Sequence, residues 1–144
     1  MPIYTFDTSV IIAYAVSELP SNFLLSAVVI AELTASASDD SSRKVFEAMR
    51  RDYDKYDALI IPTLDDWLTA SRMLFWLSQV RRKKTGGKAP KLPRFASQRM
   101  FLDALIAVSA KRAGATVVTN DYDDFRAIQY YCHFKLVRGS EFFK

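Results

Sequence analysis

The stretch "FLDALIAVSAKRAGATVVTND" (residues 101–121) decides the fold, because a helix, a helix stop and a strand follow one another in it. Its first half continues an apolar helical pattern predicted over 96–114. The single acid Asp103 interrupts that pattern, and Gly114 is expected to cap the helix. The second half, "ATVVTND", has the β-branched composition of a short buried strand and ends at Asp121. The stretch therefore predicts one unit of an alternating α/β fold.

The rest of the chain repeats this alternation of strands and helices. Strand-like segments are "IYTFD" (3–7), "FLLSAVV" (23–29), "ALIIPTL" (58–64) and "HFKLVRG" (133–139), and helical ones are "TSVIIAYAV" (8–16), a segment starting near 26–30, 39–57 and 65–84. The sequence has no hairpin signal and no internal repeat. We expect a single domain over residues 1–144, a three-layer α/β/α sandwich around a mainly parallel central sheet. In such folds, ligands bind beyond the carboxyl ends of the strands.

Composition excludes several classes of protein. The chain of 144 residues has one cysteine and one histidine, which excludes a disulfide framework and a structural zinc site and argues against a histidine-based triad. No apolar run approaches the roughly 20 residues that span a bilayer. The N-terminal "MPIYTFD" lacks the basic region of a secretory signal. These features predict a cytoplasmic protein with no membrane partner.

The net charge of +4 is unevenly distributed. Basic residues crowd "VRRKKTGGKAPKLPR" (80–94), and its glycines and prolines predict a flexible basic loop at about 81–97. Several acids instead lie in or beside apolar runs. A basic rim around buried carboxylates suggests a polyanionic partner approaching a cation-binding centre, although a modestly basic surface also serves solubility alone.

Four acids are expected at one edge of the sheet. Asp7 ends the first strand and Asp121 ends the strand that follows Gly114, so both should emerge at the same rim. Glu32 lies near the start of the helix after the second strand, which begins at that rim too. Asp103 lies in an otherwise apolar helix, where an unpaired charge is costly to bury.

Each acid also has an ordinary structural explanation. Asp103 could pair with Arg99, four residues earlier on the same helix face, or serve as a charge near the helix N-terminus. Asp7 could cap the next helix, although Thr8 or Ser9 is also placed to do so. Glu32 could be an exposed helix residue, and Asp121 could belong to a turn. The four together are harder to explain in this way.

Several carboxylates in one place raise each other's pKa values unless a cation neutralises them. A hard divalent cation such as Mg²⁺ suits oxygen ligands and retains waters and open positions for phosphate oxygens. Two such ions could activate a water and stabilise the leaving oxygen of a phosphodiester. No histidine lies near the acids to act as a base. This chemistry predicts products with 5′-phosphate and 3′-hydroxyl ends.

Four elements of the sequence resemble those of PIN-domain ribonucleases, most closely the small prokaryotic toxins of VapBC-type toxin–antitoxin pairs. They are "FDTSVIIAY" at 6–14, "VVIAELTA" at 28–35, the stretch at 101–121 and "DDF" at 123–125. The resemblance implies a PIN fold, Mg²⁺- or Mn²⁺-dependent endoribonuclease activity, a homodimer and a small antitoxin that blocks the site.

The resemblance also assigns residues to the site. Its acidic catalytic set falls on Asp7, Glu32, Asp103 and Asp121, and its metal ligands on Asp7, Asp103, Asp121 and Asp124. Thr8 and Thr119 match hydroxyl positions that orient water or a carboxylate. Many relatives have asparagine at the position of Asp121, so Asp124 could share or replace its role.

The basic segment and the aromatic residues each have two interpretations. Arg81, Arg82, Lys83, Lys84 and Lys88 form either a solvated mobile loop or a clamp for the RNA backbone. At helical spacing, Trp67, Phe75 and Trp76 favour a place in the core or in a dimer interface. Tyr122, next to the predicted centre, is a candidate for base stacking.

Three other functions are alternatives to the nuclease. A haloacid-dehalogenase-type phosphatase needs a second aspartate two residues after Asp7, where this chain has Ser9. A response-regulator receiver needs an acid pair near the first strand and a lysine at a late strand end, and neither is visible. A catalytically inactive PIN-like module that binds RNA or a partner is the remaining alternative.

Overall fold

The computed structural model of this chain describes residues 2–14, 16–84, 86 and 94–144. The strands are β1 (Ile3–Phe6), β2 (Leu25–Ser26), β3 (Leu59–Ile60), β4 (Ala115–Thr119) and β5 (Leu136–Arg138). The helices are α1 (Thr8–Ala13), α2 (Ala27–Ala35), α3 (Asp40–Lys55), α4 (Leu64–Lys84), α5 (Arg94–Arg112), α6 (Tyr122–Gln129) and α7 (Gly139–Phe142), with a 3-10 turn at Val16–Glu18.

The strands form a parallel sheet with β1 near its middle. Strand β4 pairs with both β1 and β5, β2 pairs with β3, and every one of these pairs is parallel. A single bridge from Thr5 to Leu24 joins the two groups, so the strands lie in the order β3-β2-β1-β4-β5. All five residues of β4 are buried, which requires cover on both faces because successive side chains point to opposite sides. The predicted α/β sandwich with a parallel sheet is confirmed.

Several strands are shorter than predicted because helix caps interrupt them. The predicted strand 23–29 contracts to β2, since the Ser26 hydroxyl accepts a hydrogen bond from the Val29 amide and starts α2 there. The predicted strand 58–64 contracts to β3 because Thr63 caps α4: its hydroxyl accepts from the Asp66 amide. Capping by hydroxyl side chains favours the helix over a longer extended segment.

Helix α5 ends as predicted. Gly114 follows it with a φ of 72°, in the left-handed region that glycine adopts without steric cost, and its amide donates to the Lys111 carbonyl. The chain can then reverse directly into β4. The flexible basic loop predicted at 81–97 has the wrong bounds, because both of its ends are helical: α4 continues to Lys84 and α5 begins at Arg94.

Helix α4 presents aromatic side chains to solvent. Trp67, Phe75 and Trp76 are 44%, 56% and 53% exposed, so of the two predicted places the core is wrong, and the dimer interface stays a prediction. The buried positions of this helix include Ala70 and Met73 instead. Because α4 packs with its neighbour α5 along one side, apolar residues on its other sides stay exposed whatever their spacing.

The last residues of the chain pack onto β1. The ring of Phe142 contacts those of Tyr4 and Phe6 edge to face, and Phe143 stacks on Tyr14 with 3.9 Å between ring centroids. Helix α7 therefore closes one side of the core. None of the helices in the described part of the chain combines the length and apolar character that crossing a bilayer requires.

Candidate functional site

Asp7 lies where β1 ends, and it is held from both sides. Its amide donates to the Val118 carbonyl, which keeps the residue beside β4. One carboxylate oxygen, Oδ1, accepts from the Ser9 hydroxyl at 2.6 Å and the Val10 amide at 3.3 Å. The other, Oδ2, accepts from the Thr119 hydroxyl at 2.7 Å. The carboxylate therefore has a fixed orientation at the carboxyl edge of the sheet.

The cap of α1 differs from one of the expectations. Asp7 caps this helix through the Val10 amide, so the assignment of the cap to Thr8 or Ser9 is wrong. Aspartate can cap from the last extended residue, whereas Thr8 is already the first helical residue. The Thr8 hydroxyl instead donates to Glu32 Oε1 at 3.2 Å and ties α1 to α2.

Thr119 connects Asp7 to the loop that follows β4. Its fully buried hydroxyl donates to Asp7 and accepts from the Asp121 amide at 2.9 Å. Ser9 makes a parallel connection, since its hydroxyl accepts from the Asn120 amide at 3.1 Å. Sequence reasoning missed Ser9 and Asn120 as supports of the site. The adjacency of "DTS" and "TND" at two strand ends was the available signal.

Burial dominates the electrostatics of Asp7. Its side chain is almost completely buried, and this desolvation raises the pKa of the carboxyl above the ordinary value. The hydrogen bonds from Ser9, Thr119 and Val10 lower the pKa, while the charge of Asp121 raises it. Hydrogen bonds, rather than a cationic side chain, are thus what favours the charged form of Asp7.

Asp103 has the most perturbed pKa of the predicted site residues. Burial first, and then the charges of Asp7, Glu32, Asp124 and Asp121, raise the pKa of its carboxyl to about 8. All four of the other predicted acids therefore act on one group. The charges of these four acids and of Asp103 therefore interact with one another.

The expected pairing of Asp103 with Arg99 does not form. Across the described residues, neither a hydrogen bond nor an ion pair reaches the Asp103 side chain. Asp103 also lies in the middle of α5, far from its N-terminus, so the alternative of a favourable end charge is excluded. The ordinary structural explanations of this acid therefore fail.

Glu32 is half-buried on α2. Burial raises the pKa of its carboxyl, the hydrogen bond from Thr8 lowers it, the charge of Asp7 raises it and that of Arg99 lowers it. The charge of Arg99 therefore acts on Glu32, a residue of a different helix.

Asp121 and Asp124 form the exposed side of the cluster. Asp121 occupies the residue before α6 but makes no side-chain capping bond, and Asp124 lies in the first turn of that helix. Both carboxylates are exposed and act on Asp103 through their charges. Their side chains are therefore open to a ligand from solvent.

The donor set suits a hard cation only in part. Among the described residues, no three Asp, Glu, His or Cys side chains are arranged so that they could hold a metal ion together. The donors are nevertheless all carboxylate oxygens around an anionic centre, and Mg²⁺ is usually bound by one or two carboxylates together with waters. The residues present fit an ion bound in that manner.

The structure describes only one side chain of the predicted basic clamp, that of Lys83. Nothing is described of the side chains of Arg81, Arg82 and Lys84, and Lys88 lies outside the described residues altogether. Lys83 is exposed and borders a groove of about 390 Å³ that contains none of the site acids. That groove is lined by Phe75, Trp76, Gln79, Val80, Lys83 and Tyr131.

Comparison with known proteins places these observations in context. A family model described as "PIN domain" matches residues 4–129. Similar solved structures include DNA-bound VapBC from Salmonella typhimurium, with 14% identity over 96% of this chain and 99% of that chain and a TM-score of 0.56. Another is FitAB bound to an IR36 DNA fragment, with 19% identity over 95% and 94% and a TM-score of 0.54.

A third similar structure is VapBC-1 from nontypeable Haemophilus influenzae, with 20% identity over 96% of this chain and 98% of that chain and a TM-score of 0.53. At these identities the likeness concerns the fold. No curated protein matches the chain.

Proposed function

Because this chain belongs to the PIN domain family, we propose that it is a metal-dependent endoribonuclease that hydrolyses RNA to 5′-phosphate and 3′-hydroxyl ends. PIN domains are generally nucleases, which supports a hydrolase. The observation that carries the proposal is Asp103, whose carboxyl has a pKa raised to about 8 by burial and four neighbouring acids. An uncompensated anionic cluster of this kind is stabilised by a bound cation.

Asp7 and Asp103 are the residues best suited to hold Mg²⁺ or Mn²⁺, with Asp121 and Asp124 contributing from the exposed side. Asp7 and Asp103 are the more buried acids of the cluster, and the carboxyls of both have raised pKa values that a cation would lower. A divalent ion bound there supplies a Lewis acid that polarises the phosphodiester and activates water.

The protein's own residues orient the acids around that ion. The hydroxyls of Ser9 and Thr119 hold the Asp7 carboxylate in one rotamer, so that little reorganisation is needed when substrate arrives. Thr8 holds Glu32 in the same way. Burial, the largest cause, raises the pKa of the Glu32 carboxyl, so a nearby cation would favour its charged form.

The proposal includes a toxin–antitoxin role in the cytoplasm. The similar structures are VapBC and FitAB assemblies, which supports a cognate antitoxin protein as partner. A homodimer is proposed with it, and the exposed aromatic residues of α4 provide apolar surface for such contacts. RNA, rather than a small phosphoester, is the proposed substrate.

One observation favours a second candidate, the catalytically inactive PIN-like module that binds RNA or a partner. It is the absence, within the described residues, of three acids already arranged to hold an ion. A protein of that kind would retain the fold and the anionic cluster but would show no turnover with any divalent ion.

The test is cleavage of a mixed RNA pool by the purified protein in Mg²⁺ or Mn²⁺, with mapping of the new ends. We expect cleavage that stops in EDTA and falls at least 100-fold in Asp7→Asn and Asp103→Asn. The matched control is Asp65→Asn, which changes an exposed acid of α4 and should cut at the wild-type rate. If folded wild-type protein cuts no RNA, the nuclease is refuted and the inactive binding module is the remaining candidate. Ends with 2′,3′-cyclic phosphate would contradict the hydrolytic mechanism.

A further inference from the structure

Arg138 is a cation at the carboxyl edge of the sheet that the assigned site residues do not include. It is the last residue of β5 and lies in register with Thr119 of β4. Its guanidinium carbon lies 4.0 Å from the ring centroid of Tyr122, the first residue of α6 and the neighbour of Asp121. A positive charge is therefore fixed next to the anionic cluster.

The stack leaves the hydrogen-bonding capacity of Arg138 free. Within the described residues, the guanidinium of Arg138 donates no hydrogen bond and forms no ion pair. A guanidinium over an aromatic ring is held by cation–π attraction, and its N–H groups keep the planar fork arrangement that matches the geometry of a phosphate. Tyr122 is accordingly not an open platform for a base on that face.

A close contact fixes the backbone next to Arg138. Gly139, buried and directly after it, lies so close to the Asn120 side chain that a Cβ at this position would clash with the amide oxygen. Asn120 in turn donates to Ser9, whose hydroxyl supports Asp7. The end of β5 and the acid at the end of β1 are therefore parts of one connected structure.

A second cation lies on the other side of the cluster. Arg99 is exposed on α5, one helical turn before Asp103 and on the same face. Its charge acts on Glu32, which belongs to the helix after β2. In the sheet order, β2 and β5 stand three strands apart, which corresponds to roughly 14 Å at about 4.8 Å per strand. Through its effect on Glu32, Arg99 is assigned to the β2 side of the cluster, and Arg138 belongs to the β5 side.

We propose that Arg138, positioned by Tyr122, and Arg99 bind the phosphates on either side of the RNA bond that is cut, so that the strand crosses the acids from the β2 side to the β5 side. This inference rests on the proposed function, because it assumes an RNA substrate. It assigns a binding role to the two arginines and a positioning role to Tyr122. A polyanion needs such cations here, since the acids would otherwise repel it.

The test measures binding of a labelled single-stranded RNA in EDTA as a function of salt. Each phosphate contact to a single strand contributes about 0.7 to the slope of log affinity against log salt. We expect Arg138→Gln and Arg99→Gln each to reduce the slope by about 0.7, and the double variant by about 1.4. When salt rises from 50 to 200 mM, the factor by which RNA affinity falls should then be about 2.6 times smaller for each single variant than for the wild type. Arg126→Gln, an exposed cation of α6 that contacts Gln129, is the matched control with an unchanged slope.

Two variants of Tyr122 test whether its ring positions the guanidinium of Arg138. Tyr122→Phe keeps the ring under the guanidinium and should bind as the wild type does, whereas Tyr122→Leu should weaken binding about two- to fivefold. A wild type that neither binds this RNA in EDTA nor cleaves it in Mg²⁺ or Mn²⁺ would overturn the proposed function together with this inference, whereas cleavage without binding in EDTA would overturn this inference alone. If the wild type binds but Arg138→Gln keeps the full slope, only this inference is overturned. Equal weakening by the phenylalanine and leucine variants would overturn the positioning role of Tyr122.

Discussion

Replacing Asp103 with asparagine should stabilise the metal-free protein at alkaline pH. The carboxyl titrates near 4 in an unfolded chain and at about 8 in the folded one, so between these values the folded state binds the additional proton. The free energy of unfolding then falls as pH rises from about 4 to about 8 and levels off above that. Asparagine does not titrate, so the Asp103→Asn variant does not lose this part of its free energy of unfolding as pH rises.

The magnitude follows from the difference between the two pKa values. Four pH units at about 1.4 kcal/mol each give roughly 5 kcal/mol as the upper bound for the wild-type loss at pH 8 and above. Asp103 is not completely buried, and water and local relaxation reduce the cost of its charge. We therefore expect Asp103→Asn to be more stable than the wild type by about 2–4 kcal/mol at pH 9 in EDTA and nearly equal to it at pH 4.

The assay is urea unfolding at several pH values, in EDTA and in Mg²⁺. A divalent ion that binds only the folded wild type stabilises it by about 2.7 kcal/mol at 100 times its dissociation constant. Mg²⁺ should therefore remove most of the difference between the two proteins at pH 8, since Asp103→Asn loses a ligand charge and gains less from the ion. Asp123→Asn, an exposed acid of α6, is the control and should match the wild type throughout. A stability difference independent of pH would refute the reasoning, because it would show that Asp103 is not held with an elevated pKa.

Three further outcomes are expected. Thr119→Val removes the hydroxyl that donates to Asp7 and should lower the rate of RNA cleavage about tenfold or more. The free energy of unfolding should fall by only about 1–2 kcal/mol, and Thr119→Ser should restore the rate. Asp66→Ala should lower the free energy of unfolding in urea by about 1–3 kcal/mol, because this buried carboxylate accepts from the Thr63 amide at the start of α4 and pairs with Arg112 at 2.9 Å; unchanged stability would contradict that role. Gly114→Ala should cost about 1–2 kcal/mol in the same assay through its positive φ alone, since a Cβ there would meet open space, and Gly114→Asn should cost less.

The sequence was sufficient for the order and type of the elements. Helical and strand periodicity is local, so "FLDALIAVSAKRAG" and "ATVVTND" predict α5 and β4 without knowledge of their neighbours. Because parallel strands end at one edge, the positions of Asp7 and Asp121 at two strand ends also predicted a common rim. Strand lengths were less predictable, since Ser26 and Thr63 cap helices within segments of high strand propensity.

Only the tertiary structure decided which groups interact and at what energetic cost. The hydrogen bond from Thr119 to Asp7 joins residues 112 positions apart, and Arg99 acts on Glu32, a residue of a different helix. Desolvation and Coulomb interaction depend on distances in space and on exclusion of water, neither of which appears in local periodicity. The acids could therefore be listed from the sequence, but the elevated pKa of Asp103 required the fold.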